Sequence, residues 1–192
     1  MTGLRIAQDE VADRVLTDDP FALLMGMLLD QQLPMEQAFA GPAKVLDRFG
    51  SLDPERIAAA DPEQFAALCA VPPAVHRFPA SMAARVQQLA SIVAGEYGGR
   101  AERLWREAAT GRELMRRLQA LPGFGRQKAQ IFTALLGKQL EVRPEGWEAA
   151  AGDYAEPGAH RSVADVVDQD SLDRVRAHKK QLKQQAKAAA SN

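Results

Sequence analysis

Residues 118–131 read LQALPGFGRQKAQI, and this stretch decides the fold. A helical pattern ends at Leu121, Pro122, Gly123 and Gly125 make a tight turn, and a second helical pattern starts at once. Such a turn exposes successive backbone N–H groups at the mouth of the second helix. Together with the positive end of that helix, these donors form a site for a phosphate oxygen. Glycine suits the turn because no Cβ restricts the backbone or blocks a ligand. Leu118, Leu121, Ala129 and Phe132 fall where the two helices pack on each other. A plain tight turn between two helices would carry the same glycines, so the surrounding charge has to distinguish the two readings.

The net charge of −1 looks wrong for a nucleic-acid binder, but its distribution does not. Residues 1–99 carry 13 acids and 7 bases, and residues 141–173 carry 9 acids and 2 bases. Residues 100–140 carry 3 acids and 9 bases, and residues 174–192 carry 6 bases and no acid. One positive block therefore contains the PGFG turn, where a phosphate ligand needs it.

The rest of the chain reads as helix. Apolar residues make up 46% and aromatics only 6%, with abundant Ala and no alternating β-branched run, which favours helix over sheet. Asp19-Pro20, Asp53-Pro54 and Asp61-Pro62 each place a capping acid before a proline at the first helical position. The first of these opens PFALLMGMLLDQQ, apolar on nearly all sides, which predicts a buried central helix. Pro34 interrupts it, and a further helix runs toward Phe49. Short helices are predicted over residues 54–60 and 62–69, a break at Val71-Pro72-Pro73, and a longer helix over residues 80–97 ended by Gly98-Gly99. Thr110 caps the helix entering the PGFG turn. Residues 141–160 hold two Pro, three Gly and many acids and read as a loop; residues 170–188 read as a polar, basic helix.

Several classes of function are excluded. The single Cys69 cannot form an internal disulfide, nor a zinc or iron–sulfur site built from several thiolates, and it reads as a buried apolar residue. No His/Asp/Glu spacing suggests a metal site. The expectation is a cytoplasmic protein: no basic region followed by an apolar run opens the chain, and no apolar stretch reaches the ~20 residues that span a bilayer.

Beyond the turn itself, an apolar residue, Pro-Gly-x-Gly and an Ala four residues on resemble the helix-hairpin-helix of DNA repair proteins. With the flanking helices of residues 20–145, the chain is similar to the HhH-GPD superfamily of base-excision DNA glycosylases, the endonuclease III and 3-methyladenine glycosylase group. It looks especially like a compact bacterial branch that lacks the cysteine-ligated cluster. The resemblance implies that Gln32, with Gln31 beside it, inserts into the duplex where the target base has left. It also implies double-stranded DNA as partner, a monomer, and no cofactor beyond a monovalent cation held by the hairpin's carbonyls.

The catalytic position departs from the family. Its members carry apolar-Val-Asp shortly after the second hairpin helix, where the Asp stabilises the cationic sugar or activates the nucleophile. Here the segment reads Leu140-Glu141-Val142-Arg143-Pro144-Glu145, which puts Arg143 at the Asp position. Arginine is neither a general base nor a partner for a developing cation. Glu141 and Glu145 are the nearest carboxylates, with Glu145 the stronger catalytic candidate. Asp30, beside the two glutamines, is a second route. The bifunctional members' Schiff-base Lys is replaced by Gln127, and Lys128 lies about 100° further around the helix, where it meets phosphate or solvent. Trp147 is a candidate for base stacking, Trp105 for the core, and His76 for a structural role.

The sequence thus predicts an all-α, two-lobed helical bundle. A single domain covers residues 1–169, with the hairpin-containing lobe over about 20–140, a second lobe from both termini, and a basic tail at 170–192. The function expected is base-excision repair by a monofunctional or diverged DNA N-glycosylase. The alternatives are a non-enzymatic binder of damaged or structured DNA and a protein-interaction module. The DNA-contacting residues expected are Gly123, Phe124, Gly125, Arg126, Lys128, Gln31 and Gln32.

Overall fold

A computed structural model of the protein describes residues 3–190. Eleven α-helices follow one another among them: α1 Glu10–Asp18, α2 Pro20–Leu29, α3 Met35–Phe49, α4 Pro54–Ala59, α5 Pro62–Ala70, α6 Pro79–Tyr97, α7 Arg103–Arg106, α8 Gly111–Gln119, α9 Arg126–Gln139, α10 Trp147–Ala151 and α11 Gln169–Ala190. Two short 3-10 turns, Gly152–Ala155 and Val163–Asp165, lie between α10 and α11, and no strand occurs among the described residues. The fold is all-α.

The capping signals act as read. Asp19 accepts the amides of Phe21 and Ala22, Asp53 that of Glu55, and Asp61 that of Gln64, each with proline at the first helical position. Each such cap contributes about 1 kcal/mol against alanine. α2 is buried at every residue from Phe21 to Leu29, the consequence of a helix apolar on all sides. It lies against α3, which also packs on α1 and α5; α4 and α5 pack on α6, and α6 reaches back to α2. The second half builds on α9, which carries α8, α10 and both 3-10 turns. The two halves share one continuous apolar core, with Leu28 and Leu29 of α2 and Phe132 and Leu135 of α9 all fully buried.

The 141–160 stretch is more ordered than its composition suggests. Trp147 opens α10 and lays its ring in the notch left by Gly137, where a Cβ would come within 2.2 Å of it. That contact pins a Gly-rich segment as helix. Trp147, offered for base stacking, is half-buried there as a packing residue. Trp105 is in the core, edge-on to Phe132 at 5.7 Å.

The basic tail is also not uniform. Ser171, Leu172 and Val175 are buried, and Val167 and Asp168 donate their amides to Ser171 Oγ at 2.9 Å. The first two turns of α11 are therefore docked, and only residues 179–190 are exposed throughout. The sequence conceals this because two buried apolar residues among polar neighbours make no helical stripe.

Candidate nucleic-acid interface

The hairpin closes as its glycines require. Leu121 donates its amide to Leu118 O at 3.0 Å and Phe124 to Leu121 O at 3.2 Å, while Gly123 takes φ +76°. A Cβ on Gly123 would meet Leu28 Cδ1 at 2.8 Å, so the turn is seated on the end of α2. Gly125 N-caps α9 with φ −75°, ψ 177° and no side-chain acceptor. Nothing lies within 4 Å of the Cβ it lacks. The first amides of α9 therefore face open space at the positive end of a 14-residue helix, an arrangement that receives a phosphate oxygen.

The side chains around the hairpin divide sharply. Arg126 is exposed and makes no ion pair among the described residues. Phe124, offered as a DNA contact, is 4% exposed and packs edge-on to Phe132 at 6.2 Å, so only its backbone reaches the surface. Lys128 differs from expectation as well. Its Nζ turns inward and donates to Met27 O at 2.7 Å and to Leu28 O and Asp30 O at 3.2 Å each. These are carbonyls at the C-terminus of α2 with no further turn to bond them, so the ammonium is drawn to that negative end. Burial lowers its pKa to about 8, against the pull of Asp30.

The positive block is partly spent internally. Arg100 pairs with Glu102, Arg103 with Glu107, Arg117 with Glu113 and Lys138 with Asp165. Arg106, Arg112, Arg116 and Arg126 remain exposed without ion pairs among the described residues.

Beyond α2 the chain turns through Gln31 and Gln32, and this turn is held tightly. Gln31 Nε2 donates to Leu28 O at 2.9 Å, and Gln31 Oε1 accepts from Arg85 Nη1 at 3.2 Å. His76, 2% exposed, accepts the Phe78 amide on Nδ1 at 3.1 Å. Nε2 therefore carries the ring proton and donates it to Gln31 O at 2.7 Å. The result is Gln32 exposed at φ +53°, a left-handed conformation that a non-glycine residue holds only when its surroundings impose it. Gln31 thus serves as an anchor and Gln32 as the residue presented.

A cleft of about 770 Å³ opens where this turn meets the start of α9. Asp30, Gln32, Lys128, Asp153, Tyr154 and Lys179 are among the residues that line it. Tyr154 Oη accepts from Gln127 Nε2 at 2.8 Å, which ties the 3-10 turn to the helix. The Asp30 carboxylate accepts no hydrogen bond and makes no ion pair among the described residues. Burial pushes its pKa up; Lys179 and then Lys128 oppose the rise, and Glu36 adds to it.

The other proposed carboxylate lies elsewhere. Glu145 is exposed, and its backbone bridges α8 and α10 by accepting from Gly111 N at 2.8 Å and donating to Ala109 O at 3.3 Å. It lines a separate groove with Arg112 and Arg126. Arg143 folds back, donating Nε–H to Gly137 O at 2.9 Å with its guanidinium 5.9 Å from the Trp147 ring centre. Among the residues singled out from sequence, the fold brings together Asp30, Gln31, Gln32, Gly123 and Lys128, and leaves Glu145 and Arg143 outside. Arg85, Asp153, Tyr154 and Lys179 had no sequence signal: each reaches the site from a distant segment, and Asp153 and Tyr154 sat in an apparent loop.

Over residues 25–192 the chain matches the family described as HhH-GPD superfamily base excision DNA repair protein, and it belongs to that family. No curated protein and no solved structure matches it. Among the described residues no helix is long and apolar enough to cross a membrane.

Proposed function

We propose that the protein is a monofunctional DNA N-glycosylase in which Asp30 supplies the catalytic carboxylate. The observation that carries this is the half-buried Asp30 carboxylate, without a hydrogen bond or ion pair among the described residues, on a cleft walled by the Gln31–Gln32 turn and the start of the hairpin's second helix. The hairpin amides and Arg126 hold the backbone of double-stranded DNA, Gln32 fills the space left in the stack, and the flipped nucleotide enters the cleft. The C1′–N bond then breaks, and its electron pair leaves with the base. The Asp30 carboxylate faces the cationic sugar, water adds to C1′, and Asp30 takes the water's proton. Family membership supports the repair role.

Lys128 does not serve as a Schiff-base nucleophile in this scheme, because its three donors are directed at three carbonyls. Among the described residues the carbonyls of Pro122 and Gly123 accept no backbone amide, and such oxygens are donors of the kind a hard monovalent cation takes, which supports a cation held at the turn in this reading. The chain acts as a monomer in this reading.

The test is a panel of duplexes carrying uracil, alkylated or oxidised bases, with alkali revealing abasic sites and borohydride challenging for a covalent adduct. Excision of at least one lesion without a trapped adduct is expected. A trapped adduct overturns the monofunctional assignment. Binding without excision of any lesion favours the second reading, a non-enzymatic binder of damaged DNA. One observation speaks for that alternative: the family's Asp position holds Arg143, committed to packing.

A further inference from the structure

Helix α11 enters the cleft from the far end of the chain. Its docked face continues from Leu172 and Val175 into His178, Lys179 and Leu182, which line the cleft with Asp30. Val175, Lys179 and Leu182 follow the three- and four-residue spacing of one helical face. One cation on this helix pairs with an acid from the first half of the chain, and a second lines the same cleft as another such acid. Arg176 pairs with Glu36 Oε1 of α3 while Glu36 Oε2 stays buried without a partner. Lys179, three residues on, makes no hydrogen bond or ion pair among the described residues, and it lines the cleft with Asp30.

A half-buried carboxylate with no hydrogen-bond donor is harder to ionise, and a cation lining the same cleft favours its ionised form. Lys128 from α9 and Lys179 from α11 line the cleft with Asp30 and favour its ionised form, and Glu36 from α3 opposes it. Asp153, Arg161 and His178 line the same cleft. Lys128 is committed to three carbonyls, and Glu36 is partly neutralised by Arg176. Lys179 is the uncommitted cation of the set.

We propose that Lys179 is a positioning residue that keeps the Asp30 carboxylate ionised, so that the C-terminal helix completes the site. The inference rests on the role given to Asp30 above. It makes the basic C-terminal segment part of the catalytic electrostatics, beyond any general affinity for DNA.

The experiment is an NMR titration of the Asp30 side-chain carboxyl in the full chain, for the wild type, Lys179→Gln, Lys179→Arg and Lys180→Gln. Lys180 is an exposed neighbour that does not line the cleft. Removing a positive charge disfavours the ionised carboxylate, so the Asp30 midpoint should move up in Lys179→Gln and stay in place in Lys179→Arg and Lys180→Gln. The acid limb of single-turnover excision should move to higher pH in the same variant and in no other. An unmoved midpoint in Lys179→Gln, or an equal movement in Lys180→Gln, overturns the proposal. The titration needs no substrate. An upward midpoint with no excision of any lesion therefore sustains the electrostatic role while refuting the glycosylase reading.

Discussion

Under the proposed reading, replacing Gly125 by alanine should separate DNA binding from folding. Gly125 has φ −75° and ψ 177°, a conformation open to any residue, and an added Cβ would find nothing within 4 Å. The folded state therefore has room for the methyl group. Alanine reduces the freedom of the unfolded chain, a gain of about 0.4–1 kcal/mol, and is a poorer N-cap than glycine by a similar amount. Stability should change by less than about 1 kcal/mol. Binding should respond differently, because the methyl group would stand where a phosphate oxygen approaches the first amides of α9. Loss of one hydrogen bond to a charged group costs about 1.5–3 kcal/mol, or roughly ten- to hundredfold in Kd. Fluorescence anisotropy on a labelled duplex across a salt series reads both quantities. No counterion-releasing cation is removed, so the plot of log K against log salt should drop without changing slope. Arg126→Ala should instead reduce the slope by about 0.9. Wild-type affinity in Gly125→Ala would refute the phosphate role of the hairpin, and parallel loss of binding and thermal stability would show that the turn is structural only.

Gly123→Ala should behave unlike Gly125→Ala: its φ of +76° and the 2.8 Å approach to Leu28 predict a loss of about 1–3 kcal/mol in a denaturant melt. Lys128→Met should lower stability by about 1–3 kcal/mol, since the C-terminal carbonyls of α2 lose their donor. Folding lowers the Lys128 pKa from 10.5 to about 8, so the unfolded chain binds the extra proton between those values. The wild type should therefore gain stability relative to Lys128→Met as pH rises from about 8 toward 10.5, as melts along a pH series would show. Removal of residues 183–192 should leave the melting temperature nearly unchanged and lower the salt slope of DNA binding. Removal from Gln169 onward should cost about 3–6 kcal/mol, the burial of Leu172 and Val175.

The sequence carried the parts of this protein that depend on local chemistry. Asp-Pro caps, a helix apolar on all sides and a Pro-Gly-x-Gly turn each act within a few residues, so the all-α fold and the hairpin were readable from them. The site was legible only in part, because side-chain direction is set by distant partners. Lys128 looked free until α2 supplied carbonyls some hundred positions earlier in the chain. Phe124 looked like part of a surface turn, yet Phe132 draws it inward. Asp30 and Lys179 line one cleft only because α11 docks through Leu172 and Val175 and pairs Arg176 with Glu36, contacts with no periodic signature. Glu145 was favoured by its nearness to the family's Asp position, but its backbone is tied to the start of α8, which carries its side chain to another groove.

The most direct measurement is the single-turnover rate of base excision, on whichever lesion duplex the wild type cleaves, for Asp30→Asn beside Glu145→Gln. Assigning the chemistry to Asp30 predicts a fall of roughly 10²–10⁴-fold in Asp30→Asn, with Glu145→Gln within a few-fold of wild type. Undiminished excision by Asp30→Asn, or its loss in Glu145→Gln, would contradict that assignment.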